Sequence, residues 1–187
     1  MTLLPLSLLF VLLALAVWHD VRARRIPNAV VFPGALLALA LHALLPAGDG
    51  LFGTPMGSLG LLSALGGWAL GLAFLMPMYA MRLMGAGDVK LLAMVGAFVG
   101  AGQILVVAIA TLLAGGVLAL VVAAWQGSLR QVLGNTYQTM LHAGLTHLND
   151  GIALPAAASG RLPYAVAIAA GTVPCVLWLH LVGELPL

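Results

Sequence analysis

Two aspartates are the residues in this chain whose type and position best suit chemistry. Asp20 closes the first long apolar stretch and Asp88 opens the fourth, whereas Asp49, Asp150 and Glu184 stand beside glycines or near the chain end. Ionisable groups at the edge of apolar stretches are costly and are usually paired or functional. Two carboxylates that share one proton can hydrolyse a peptide bond, since the ionised member activates water and the protonated member polarises the carbonyl.

Both aspartates also have simpler interpretations. Asp20 lies four residues before Arg24, so the two could form a surface ion pair worth less than about 1 kcal/mol. Asp88 could cap a helix, and Lys90, two residues further on, would point to another side of it. A transporter or proton-conducting protein could use the same carboxylates as proton carriers, although such proteins tend to place acidic groups near the membrane midplane. Position alone leaves these alternatives open.

The residues around the aspartates form motifs. Asp88 belongs to Gly85-Ala86-Gly87-Asp88-Val89-Lys90, in which two glycines let the backbone approach a substrate strand closely. This segment resembles the Gly-x-Gly-Asp-x-Lys motif of the prepilin peptidases. The family's first motif is similar to the segment of this chain in which Asp20 is followed by Arg25-Ile26-Pro27-Asn28. The family's late helix start is similar to Leu162-Pro163-Tyr164, with Gly171 further on. The three matches occur in the family's order and cover nearly the whole chain.

The resemblance implies an intramembrane aspartic endopeptidase with Asp20 and Asp88 as the catalytic pair. We expect no cofactor, no metal and no nucleic-acid partner. The expected substrates are type IV prepilins or pseudopilins, cleaved at the cytoplasmic face of the bacterial inner membrane. Other motif residues are expected in the active-site loop or in substrate binding: Gly85, Gly87, Lys90, Pro27 and Asn28.

Cysteine usage points to a particular form of this family. The longer members carry a cytoplasmic domain with cysteine pairs, which is linked to methyl transfer, whereas this chain has one cysteine, Cys175. It therefore resembles the short form that occurs with Flp-type (tight-adherence) pili.

A structural membrane subunit of a pilus assembly is a third possible function. A metal site at His142 and His147 is not indicated, because five residues is not the same-face spacing of a helical pair.

The composition requires a membrane protein. The 187 residues are 63% hydrophobic and 6% charged, whereas soluble domains carry about 25% charged residues. We expect an all-α, multi-pass membrane protein with one transmembrane peptidase domain over residues 1–187. A span needs about 20 apolar residues, and the predicted spans lie near residues 2–19, 28–46, 57–80, 86–102, 103–125 and 162–182. A glycine-rich turn at 100–103 separates the fourth from the fifth.

Two pairs of glycines predict close helix packing. Gly67 and Gly71, and likewise Gly96 and Gly100, are spaced four residues apart within apolar stretches. Small residues at this spacing let membrane helices approach each other closely.

Basic residues predict the orientation in the membrane. All seven fall in or beside the loops at 20–27, 81–85 and 126–161 if the N-terminus lies outside: Arg22, Arg24, Arg25, Arg82, Lys90, Arg130 and Arg161. Cytoplasmic loops carry such an excess, and the first span is expected to be retained, since no positive charge precedes it.

Within the 126–161 loop, apolar residues recur at helical spacing. They indicate an amphipathic helix that lies on the inner membrane surface or packs against the spans.

This topology predicts opposite accessibility for two loop positions. In a background that lacks Cys175, Asp49→Cys should react with an impermeant thiol reagent from outside, and Asp150→Cys only from inside. Labelling of both positions from the same face would contradict the predicted topology.

Overall fold

The chain is all-α throughout the part that is described. The computed structural model describes residues 3–53, 55–81, 83–125, 127, 163–183 and 185. Within them the chain forms helices and a single isolated bridge between Ala47 and Ser58, with no strand. The helices are α1 (Leu3–Ala23), α2 (Asn28–Leu44), α3 (Leu61–Ala80), α4 (Ala86–Val99), α5 (Ile104–Trp125) and α6 (Tyr164–Val182). Each coincides with one predicted apolar stretch, which confirms the predicted fold class.

The helices differ in length, and this difference bears on how the chain crosses a membrane. The helices α1, α3, α5 and α6 have 19 to 22 residues and are long and apolar enough to span a bilayer. The helix α2 has 17 residues, and α4 has 14, which is about 21 Å at 1.5 Å per residue. In the described ranges, four helices therefore meet the length requirement for a span. The predicted fourth stretch, 86–102, ends as a helix at Val99 because Gly100 adopts a φ of 80°, and this confirms the predicted turn.

Contacts divide the chain into two units. The first comprises residues 1–115 and 163–187, and the second comprises residues 116–162. Both aspartates and all the contacts described below belong to the first unit. The amphipathic helix predicted in 126–161 lies outside the described residues, as do Arg82, Arg130 and Arg161. The prediction of a single domain over residues 1–187 stays a prediction.

The helix α4 is the core element of the first unit. Every residue from Leu91 to Gly100 is buried, and α4 contacts α1, α2, α3 and α6. A helix that is apolar all round is stable only when neighbours cover it on all sides. Its surroundings therefore fix the position of its first turn, which carries Asp88.

Glycines allow the close approach of α3 to α4. A Cβ atom on Gly67 would collide with the carbonyl oxygen of Gly96, and one on Gly96 would collide with that of Gly67. One turn further along α3, a Cβ on Gly71 would lie 2.8 Å from the carbonyl oxygen of Leu92. The packing predicted from the four-residue spacing is confirmed for these glycines.

Histidines tie the loop after α2 to the end of the bundle opposite the aspartates. The backbone N–H of Leu59 donates to Nδ1 of the buried His42 at 3.2 Å, so Nε2 carries the proton and faces the carbonyl oxygen of Phe98 at 3.3 Å. The Nδ1 atom of His180 lies 3.2 Å from the carbonyl oxygen of Phe52. These bonds join the ends of α2, α4 and α6 through one loop.

The glycine contact predicts opposite effects for two equivalent substitutions. Gly96→Ala should lower the free energy of unfolding by about 1–3 kcal/mol, because the new methyl group forces α3 away from α4. Gly116→Ala, in α5 with open space around it, should be neutral or stabilising because alanine is the better helix former. Thermal unfolding in detergent measures both variants. Equal effects would contradict the close packing at Gly96.

Candidate active site

The Asp20 carboxylate lies at the start of another helix. Asp20 stands in the last turn of α1, where it is only 7% exposed. Its Oδ2 atom accepts a hydrogen bond of 3.0 Å from the backbone N–H of Ala165, the second residue of α6. The N–H groups of a first helical turn have no acceptor within the helix and form its positive end. A carboxylate is a favourable partner for them.

The Asp88 carboxylate lies at the start of its own helix. Asp88 is the third residue of α4, and its Oδ2 atom accepts a hydrogen bond of 3.1 Å from the backbone N–H of Gly85. The capping role suggested as the simpler interpretation is therefore present. It engages one carboxylate oxygen, so it does not exclude a chemical role for the other.

The two carboxyl groups interact electrostatically. Asp88 lies outside the four helices that are long enough to span the bilayer. Burial raises the pKa of its carboxyl to about 6; the N–H of Gly85 opposes this rise and the charge of Asp20 adds to it. Asp88 thus holds a proton closer to neutral pH than a free carboxyl would. A raised pKa on one of two interacting carboxyl groups is the arrangement expected of a pair that shares a proton.

The alternative ion pair of Asp20 does not form. Among the described residues no cationic side chain pairs with Asp20, Arg24 included. The helix α1 ends at Ala23, and Arg24 has a φ of 52°, so the side-chain spacing of a continuous helix does not apply between them. Nearby, the guanidinium of Arg22 stacks over the Trp18 ring at 4.2 Å. That arrangement suits a membrane interface.

The turn after Asp20 packs against the segment around Asp88. Gly87 lies against Ile26, such that a Cβ on Gly87 would be 3.1 Å from the Cβ of Ile26. The Nζ atom of Lys90 donates a hydrogen bond of 3.2 Å to Oδ1 of Asn28 and lies 5.3 Å from the centre of the Phe32 ring. These contacts bring together two segments that are about sixty residues apart in sequence.

The remaining predicted loop residues shape the helix starts. Pro27 precedes α2 with extended backbone, φ −70° and ψ 137°, and its carbonyl oxygen accepts the N–H of Val30. Gly85 precedes α4 and supplies the N–H that binds Asp88. All five loop residues predicted from the motifs therefore lie in the two segments that adjoin the aspartates.

The third motif also reaches the aspartates. Pro163 precedes α6, and the Tyr164 phenol lies within electrostatic range of Asp88. The ring of Tyr164 packs on Gly115, where a Cβ would lie 2.9 Å from it, and Gly171 packs on Thr111 in the same way, at 2.5 Å. Leu162 lies outside the described residues.

Sequence reasoning missed the backbone donor at Ala165. An alanine carries no chemical signal of its own, but Pro163 two residues earlier marks a helix start, where free N–H groups are expected.

Metal ligands do not gather in the described part of the chain. No group of three or more histidine, cysteine, aspartate or glutamate side chains there could hold a metal ion. His142 and His147 lie outside the described residues.

A known protein family matches the part of the chain that contains both aspartates. The sequence model of the type IV leader peptidase family matches residues 7–120, which is more than half of the chain. The chain belongs to this family. No curated protein and no solved structure gives a significant match. The matched region of this leader peptidase family member contains both aspartates and the segments beside them, but it ends before α6.

The contact between the two motif segments predicts a specific cross-link. In a background that lacks Cys175, Ile26→Cys with Gly87→Cys should form a disulfide, because small shifts bring the Cβ atoms to the roughly 3.5–4.5 Å that disulfides need. The control pairs Ile26→Cys with Gly85→Cys, since Ile26 is not among the atoms nearest to a Cβ on Gly85. Oxidation followed by mass spectrometry distinguishes the pairs. A cross-link only in the control pair would contradict the described contact.

Proposed function

We propose that the protein is an intramembrane aspartic endopeptidase that removes the leader from type IV prepilins or pseudopilins. Asp20 and Asp88 form its catalytic pair. Membership of the leader peptidase family supports the protease activity. The observation that carries the assignment is that the charge of Asp20, in α1, acts on the carboxyl group of Asp88, in α4, and helps to raise its pKa.

The proposed reaction uses one proton on the pair. The ionised Asp20 takes a proton from a water molecule, whose oxygen bonds to the scissile carbonyl carbon. Asp88 gives its proton to the carbonyl oxygen, and a neutral gem-diol forms. As the diol collapses, the C–N bond breaks and Asp20 passes its proton to the departing nitrogen. One hydroxyl proton then returns to Asp88, which restores the starting state without a metal or a covalent intermediate.

The segments beside the aspartates have a supporting role in this proposal. Lys90 and Asn28 are hydrogen-bonded, and Ile26 lies against Gly87. We expect these contacts to keep the end of α1 beside the start of α4. The separation between a water-activating group and a carbonyl-polarising group must be held closely, because small misplacements cost large factors in rate.

The depth of the pair favours cleavage at a membrane surface. Asp20 is in the last turn of α1 and Asp88 in the first turn of α4, whereas a transporter would tend to hold acidic groups near the midplane. Arg22, Arg24 and Arg25 follow Asp20, and the positive-inside rule then assigns this surface to the cytoplasm. We therefore place the active site at the cytoplasmic face of the bacterial inner membrane.

The substrate must fit this location. The apolar helix of a prepilin would dock among the spans, and its basic leader would remain in the cytoplasm. A helix hides its carbonyl groups in hydrogen bonds, so the scissile bond must be presented in an extended segment. Among type IV prepilins, we propose the Flp-type prepilins as the substrates.

Isosteric amides at the two aspartates test the proposal. Asp20→Asn and Asp88→Asn should each lower cleavage of a prepilin in liposomes by about a hundredfold or more, because each removes an acid–base group. Thermal unfolding midpoints should stay close to that of the unmodified protein. Asp49→Asn, at an exposed position in the loop between α2 and α3, is the matched control and should cleave normally. An unchanged rate in either active-site variant would refute the assignment.

A further inference from the structure

The two aspartates are held by different kinds of partner. Asp88 accepts its hydrogen bond from Gly85, three residues away and exposed. Asp20 accepts its hydrogen bond from Ala165, 145 residues away and buried. The partner of Asp20 also lies beyond residue 120, where the family match ends. The helix α6 thus contributes a group to the site that the matched region does not contain.

We propose that the backbone N–H of Ala165 is a positioning donor that keeps Asp20 as the ionised, water-activating member of the pair. This inference rests on the proposed function, and it assigns unequal roles to two chemically identical groups. The donor acts through Asp20 and does not itself touch the substrate.

The first argument concerns the donor. Ala165 is the second residue of α6 and is fully buried, so its N–H has no acceptor within the helix and no access to water. A buried N–H group without an acceptor is costly, and the N–H of Ala165 donates its hydrogen bond to the Asp20 carboxylate. Hydrogen bonds to an ionised acceptor are roughly twice as strong as those between neutral groups. The pairing therefore favours a negative charge on Asp20.

The second argument concerns the surrounding charges. Facing the site are Asp88 from α4 and Tyr164 from α6, and neither supplies a positive charge. The titratable residue of α2 is His42, which is bound to Phe98 at the opposite end of α4. Among the described residues no cation pairs with Asp20, and Lys90 donates to Asn28. Within the described part of the chain, the start of α6 is thus the source of positive potential that contacts Asp20 directly.

The third argument concerns geometry. The bond occupies Oδ2 of Asp20 and leaves Oδ1 to take the proton from water. Pro163 has a φ of −69° before the helix start, and contacts of Gly171 with Thr111 and of Tyr164 with Gly115 hold α6 against α5. These constraints keep the N–H of Ala165 aimed at one oxygen.

The test removes the donor and records the pH dependence of kcat/KM for prepilin cleavage. Ala165→Pro lacks the N–H, and at the second helical position it breaks no bond within α6. Without the donor Asp20 is harder to ionise, so the acid-side limb of the profile should move to higher pH by about one to two units. Ala165→Gly removes the buried methyl group but keeps the N–H, and the acid-side limb of its profile should not move.

Each outcome decides the inference. A limb that stays in place for Ala165→Pro overturns it, and so does a rate that falls equally at every pH, since that is the effect of a purely structural role. Should Ala165→Pro fail to fold, replacement of Ala165 by L-lactate turns the N–H into an ester oxygen and leaves the side chain intact. The same shift is expected there, and its absence overturns the inference. If Asp20→Asn or Asp88→Asn retained activity, the proposed function itself would fail instead.

Discussion

Two carboxyl groups in a largely apolar protein must be held close together, and this requirement governs the rest of the structure. Burial and like charge both oppose ionisation of the second group. The protein meets the difficulty by placing each carboxylate at the start of a helix. Asp20 binds the N–H of Ala165 in α6, and Asp88 binds the N–H of Gly85 before α4. The two carboxylates differ in their partners, because the donor to Asp88 belongs to the same segment and the donor to Asp20 belongs to a distant helix.

The packing of the other helices and loops fixes the positions of those helix starts. The helix α4 is enclosed by its neighbours, and Gly67 and Gly96 allow α3 to pack directly on its backbone. At the far end, His42 ties α2 and the following loop to Phe98. At the near end, the Lys90–Asn28 hydrogen bond holds the start of α2 beside α4. The first turn of α4 is therefore constrained from both ends of the helix.

The sequence predicts much of this architecture because membrane helices carry strong signals. Hydropathy locates each of the helices described, and the glycines at 67, 71, 96 and 100 mark the close packing and the turn. The alternative ion pair with Arg24 was plausible from its spacing, but it requires a helix that continues past Ala23, and the backbone at Arg24 leaves the helical region. The short length of α4 was not predicted, since apolar composition continues through Gly100 and Ala101 into the turn.

Other features leave no sequence pattern. The backbone N–H of Ala165 has no side chain to signal it, and Lys90 was recognised as a motif residue and a topology marker without its partner Asn28, 62 residues away. The loop between α2 and α3 likewise bonds to His42 and His180. Hydropathy locates each helix alone and does not predict these bonds. Such interactions depend on how the helices are arranged, which single-chain patterns do not encode.

The most direct measurement is the protonation state of the pair. Infrared spectroscopy of the reconstituted protein just below pH 6 detects a protonated carboxyl group by its C=O stretch, and at that pH ordinary exposed carboxyl groups are ionised. The account predicts one such band, which is absent in Asp88→Asn and weaker in Asp20→Asn, because burial raises the pKa of Asp88 to about 6 and the charge of Asp20 contributes to that rise. A band that survives in Asp88→Asn, or no protonated carboxyl in the unmodified protein, would contradict it.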